Sequence, residues 1–158
     1  MRERGFAGLE WLLLISAVIV TFTMAVPAIG TFYREAALEY ESEHLLADIR
    51  RLQSLSRLTT ETSTLSPERR SSAPVLRLQG DSYTLLRGNE IISRHRCLPS
   101  VLIMKKNYGT KATVDLAFHY FGNPNMANMT IEVFRNGERS KCRKIILATG
   151  GRIRLERQ

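Results

Sequence analysis

Near the end of the chain two arginines alternate with two aliphatic residues, in Gly151-Arg152-Ile153-Arg154-Leu155. Successive side chains of a strand point to opposite faces, so Arg152 and Arg154 share one face, about 6.6 Å apart, and Ile153 and Leu155 the other. That separation is close to two nucleotide rises along one strand, so both guanidinium groups can reach phosphates. Each planar fork can donate two parallel hydrogen bonds to phosphate oxygens. A solvated edge strand that repels other edges uses the same residues, and the spacing alone does not separate the two readings. Arg143, Lys144, Lys105 and Lys106 are further cations that extend such a surface if they lie beside it.

Other chemistry is sparse. Two cysteines and three histidines are too few for a disulfide scaffold or a multi-zinc protein. His95 and Cys97 form an H-x-C pair with no second Cys cluster, so no metal or other cofactor is expected. With no nucleophile–base pairing or phosphate loop either, an enzyme is not expected. Cys97 and Cys142 lie in the same region. A disulfide between them fits an oxidising compartment, and two separate buried thiols are the alternative.

The formal net charge of +8 is unevenly spread. Residues 1–33 are neutral, 34–90 carry −1, 91–111 carry +5, 112–134 carry −2 and 135–158 carry +6. Between Trp11 and Tyr33 there are 23 residues without a charge. About 20 helical residues cross a ~30 Å hydrocarbon core, so this run is long enough to span a membrane. Arg2 and Arg4 precede it, which keeps the N-terminus cytoplasmic and places everything after Tyr33 beyond the cytoplasmic membrane. The run is longer than the apolar core of a cleaved signal peptide and continues into another helical pattern, which favours a retained anchor. Glu10 borders the run. A carboxylate carried to mid-bilayer costs roughly 2.5–3.5 kcal/mol on insertion scales, so it calls for a cation from outside the span.

Arg4-Gly5-Phe6-Ala7-Gly8-Leu9-Glu10, followed by this helix, resembles the class III signal of type IV prepilins and pseudopilins. The resemblance implies that a prepilin peptidase cuts between Gly5 and Phe6 and methylates Phe6. It also implies that Glu10 neutralises the α-amine of a neighbouring pilin or pseudopilin subunit during assembly. Pro27 matches the helix-kinking proline of that family; such a defect is tolerated in a membrane span. Ala7-Gly8 and Trp11 depart from the family's usual residues.

The elements behind these motifs follow from periodicity. Leu38, Leu45, Ile49, Leu52 and Leu55 recur on one face of a continuing helix, with Glu35, Glu39, Glu41, Glu43, Arg50 and Arg51 over much of the rest. The segments expected are a leader at 1–5, a transmembrane and assembly helix at 6–33, an amphipathic stalk helix at 34–58, a loop at 59–74 and a β-rich head at 75–158. In the head, strands are expected at 75–79, 83–86, 90–93, 101–105, 113–120, 129–135, up to 147, and 152–156. Val114, Leu116, Phe118 and Tyr120 fall on one face, and Asn136-Gly137 marks a two-residue hairpin. The fold class is α+β: a long N-terminal helix packed on a small antiparallel head.

Phe121-Gly122-Asn123-Pro124, a hairpin, an apolar return strand and a terminal Gly-Arg-Ile-Arg together resemble the FimT/GspH family of minor pilins and pseudopilins. In the FimT branch a terminal GRxR motif is implicated in binding DNA for natural transformation. The resemblance therefore implies DNA binding without sequence preference through Arg152 and Arg154. The alternative is a GspH-like pseudopilin of a type II secretion system, whose basic face meets protein.

Overall fold

The computed structural model describes residues 3–63, 73–106, 113–126 and 128–157. Among them are one helix and eight strands: α1 (Glu3–Ser63), β1 (Pro74–Leu78), β2 (Ser82–Arg87), β3 (Glu90–Arg96), β4 (Val101–Lys106), β5 (Val114–Ala117), β6 (Met129–Arg135), β7 (Glu138–Leu147) and β8 (Ile153–Arg157). The chain divides into two units, 1–36 and 37–158.

In the first unit nearly every described side chain is exposed, including Trp11 at 68%, Met24 at 74% and Phe32 at 75%. So much contiguous apolar surface requires lipid or other apolar helices around it. The few hydroxyls in the run satisfy themselves. Ser16, Thr21, Thr23 and Thr31 each donate to a carbonyl three or four residues back, at 2.8 Å. A helix surrounded by hydrocarbon needs this, because no water is available to take those bonds. The helix continues on both sides of Pro27.

In the second unit the rest of α1 packs on two four-stranded sheets, ordered β3-β2-β1-β5 and β4-β6-β7-β8, with every neighbouring pair antiparallel. Leu38, Leu45, Ile49 and Leu52 are buried, and Leu55 packs partly buried beside them. They meet Leu76, Leu78, Leu85 and Leu116 from one sheet and Ile131, Ile145 and Leu147 from the other, in one core. The helical stripe lies where its spacing places it. The head is two sheets rather than one, and the helical stripe shares a single buried cluster with side chains from both.

The structure corrects three details. The helix runs to Ser63, beyond the expected stop at 58. Glu41, expected on the solvated face, is 2% exposed and bonded across the core. Tyr120 leaves the apolar face of its strand. The strand ends at Ala117 and the chain turns sharply, with the Gly122 N–H donating to the His119 carbonyl at 2.8 Å and the His119 N–H to the Asn123 carbonyl at 2.7 Å. Phe118 stays buried, whereas Tyr120 and Phe121 emerge at the turn.

Candidate nucleic-acid interface

β8 is an edge strand, paired only with β7 in the order of its sheet. Ile153 and Leu155 face the core, partly buried, while Arg152, Arg154 and Glu156 are exposed on the other side. The turn into β8 is closed by the Gly151 N–H donating to the Ala148 carbonyl at 2.9 Å and the Ala148 N–H to the Arg152 carbonyl at 3.0 Å. Gly151 sits at φ 78°, in the left-handed region that favours glycine. A Cβ there would collide with the Gly122 carbonyl oxygen. The glycine of Gly-Arg-Ile-Arg thus serves close backbone packing.

A side chain from the helix fastens the two turns together. Gln53 Nε2 donates to the Gly122 carbonyl at 2.7 Å and to the Gly151 carbonyl at 2.8 Å. The Arg57 guanidinium packs over Gly122, where a Cβ would otherwise sit. The Phe121-Gly122-Asn123-Pro124 loop and the Gly-Arg-Ile-Arg turn, widely separated in sequence, are therefore one structural unit.

The other basic residues divide into two groups. Arg143 shares the core-facing parity of Ile145 and Leu147, and its Nε donates to Glu39 Oε2 on the helix at 3.0 Å. Arg157 donates to the other oxygen of Glu39 and lies 3.8 Å from Glu43. Arg143 is thus a structural cation rather than part of the exposed surface proposed for it. Lys144 stands on the outer face, directly opposite Glu132 on one neighbouring strand and Glu156 on the other, so acids flank it. Cross-strand acid–base neighbours attract, which lowers its availability for phosphate. Lys105 and Lys106 occupy the end of β4, and their side chains fall outside the described residues. Gly5 and Phe6 lie within α1, and their side chains too are outside those described. Glu10 is exposed in the first unit.

The cysteines are both buried and free. Cys97 follows the last residue of β3, whereas Cys142 lies within β7 of the other sheet, opposite Phe134, so the structure holds two separate thiols rather than a bridge. Burial is the main cause that pushes the Cys97 thiol up to about 12, with Glu41 and Asp81 adding to it. Its neighbour His95 donates from Nε2 to Glu41 Oε2 at 2.8 Å, while Glu41 Oε1 accepts the Leu98 N–H at 2.8 Å. The His95 ring stacks on His44 at 4.3 Å, and the Tyr83 hydroxyl lies 2.5 Å from His44 Nδ1. Burial, then Asp48, raises the Tyr83 phenol above its ordinary value. Among the described residues no group of three or more His, Cys, Asp or Glu side chains is placed to hold a metal. This network ties helix to head, and its residues gave no periodic signal.

No model of a known protein family matches the sequence, and no curated protein matches it. Two solved structures do match in fold, both of the type IV minor pilin FimU of Pseudomonas aeruginosa strain PAO1. The crystal form in space group P21 superposes with a TM-score of 0.58 at 16% identity, over 79% of this chain and 92% of that one. The form in P65 gives 0.55 at 16% identity, over 75% and 92%. The chain has a type IV minor pilin fold.

Proposed function

We infer that the chain is a minor pilin or pseudopilin whose head binds DNA without sequence preference. The observation that carries this is the exposure of Arg152, at the end of the turn into edge strand β8, and of Arg154 within that strand, while Arg143 and Arg157 are held by Glu39. The pilin fold and the exposed apolar helix support assembly into a filament based in the cytoplasmic membrane. In this reading prepilin peptidase cuts between Gly5 and Phe6, Phe6 is methylated, and Glu10 meets the new α-amine of a neighbouring subunit. The N-terminus faces the cytoplasm, and the head reaches external DNA for uptake.

DNA binding is tested with the full chain in detergent micelles, across a salt series. Neutralising phosphates releases counterions, so affinity falls with a log–log slope of about −0.9 per contact. Arg152→Ala and Arg154→Ala should each make the slope shallower by about one. Absence of DNA retention at low salt by folded protein would reject the reading and leave a subunit that contacts protein, as in a type II secretion pseudopilus. Processing has its own test: a Gly5 substitution should leave the leader attached when the peptidase is present, and normal trimming would refute it.

A further inference from the structure

The turn beside Arg152 presents two aromatic rings to solvent. Tyr120 is 51% and Phe121 68% exposed, and their rings pack on each other with centroids 3.6 Å apart and planes at 38°. Free chain termini or mobile tips commonly expose such residues, but this turn is braced. It is closed by the His119–Asn123 and Gly122–His119 backbone bonds and by a bridge between Phe118 and Pro124. It is then fastened to the β8 turn by Gln53. The bracing keeps the rings outside a core that buries their neighbour Phe118.

Cations adjoin them. Arg57 packs on Gly122, the residue after Phe121, and the Gly122 carbonyl touches Gly151, the residue before Arg152. Arg57, Arg152 and Arg154 are exposed, and none of them is ion-paired among the described residues. Arginine forks suit phosphate, and an aromatic face suits an unpaired base. In a duplex the faces of the bases are already stacked on one another, so a surface ring finds no partner there. A single strand offers both groups at once: phosphates on one side and free base faces on the other.

We propose that Tyr120 and Phe121 form a base-stacking platform beside Arg57 and Arg152, and that this face prefers single-stranded over duplex DNA. The preference rests on the DNA-binding reading above and names its substrate class. Arg152 and Arg154 supply the salt-dependent attraction common to both forms of DNA, and the rings supply the discrimination.

The test uses the full chain in detergent micelles at one fixed salt concentration. The probes are a labelled mixed-sequence single strand, the same strand annealed to its complement, and the same strand with its bases removed at successive abasic sites. The single strand should bind roughly tenfold or more tighter than the duplex or the abasic strand. Phe121→Ala and Tyr120→Ala should each weaken single-strand binding about tenfold, leaving duplex affinity, salt slope and thermal midpoint unchanged. Equal affinity for all three probes, or rings whose loss changes nothing, would overturn the platform while DNA binding stands. Failure to bind any probe, by protein whose circular dichroism is native, would reject the DNA-binding reading itself. If the alanine variants lose association between copies of the chain but keep single-strand affinity, the rings are a protein contact and the proposal is wrong.

Discussion

The Arg143 guanidinium donates from Nε to Glu39 Oε2 at 3.0 Å, so a strand cation that reads in sequence as a phosphate ligand is spent on joining the helix to the sheet. Both side chains are largely shielded, at 20% and 29% exposure, where a charge-assisted bond counts for more than on an open surface. Arg143→Ala should therefore lower stability by about 1–2 kcal/mol and leave the salt slope of DNA binding unchanged. Arg152→Ala should do the reverse. Denaturant titration and the salt series, run on the same two variants, check the pair of outcomes; a shallower slope for Arg143→Ala would return that residue to the binding face.

Gly151 has two reasons to be glycine, its positive φ and its contact with the Gly122 carbonyl. Gly151→Ala must both strain the backbone and push the two turns apart, at a cost of about 2–4 kcal/mol. Gln53→Ala leaves two carbonyls without their donor and should cost about 1–2 kcal/mol. Because both changes loosen the same junction, their effects should fall short of additive in a double-mutant cycle on the thermal or denaturant midpoint. Strict additivity would show that Gln53 does not hold the turns together.

Most of the framework was legible because it rests on repeating patterns. The stripe from Leu38 to Leu55 repeats with helical period, β6 alternates from Met129 to Arg135, and Asn136-Gly137 forms the two-residue turn between Arg135 and Glu138. The outward direction of Arg152 and Arg154 follows from the inward packing of Ile153 and Leu155. What was not legible depends on single long-range contacts. Glu41 carries no pattern that foretells His95 and Leu98 as partners, and Glu39 none that foretells Arg143. Tyr120 keeps the right parity for its strand, yet the strand stops before it, because the turn bonds at Gly122 and Asn123 outcompete one more step of alternation.

Glu41 bridges helix and head from a position almost closed to water. Glu41→Ala removes the acceptor of the Leu98 N–H and the partner of His95 together, and should cost about 2–4 kcal/mol. Glu41→Gln retains a carbonyl oxygen for Leu98 and should cost about half as much. The near-UV dichroism of the buried Tyr83, followed through urea titration of the full chain in micelles, reads both. Equal losses for the two variants would mean that the backbone bond to Leu98 contributes nothing.

Cys97 makes the head sensitive to alkali. In the unfolded chain its thiol titrates near its ordinary value of 9.0, whereas in the fold burial holds it protonated until about 12. Between those values the unfolded chain has released a proton that the folded chain retains, so stability must fall as pH rises. The contribution of the thiol is complete below about pH 9 and is lost as pH climbs through the folded value. Tyr83 acts in the same direction from its ordinary value of 10.0 upward. Denaturant midpoints measured from about pH 8 to 11 should decline with a slope that Cys97→Ala makes shallower in its first part, above about pH 9, before Tyr83 joins. The substitution itself lowers the midpoint at neutral pH, through the lost side-chain volume, so the test is the slope and not the level. An unchanged slope in Cys97→Ala would show that the thiol ionises as easily in the fold as out of it.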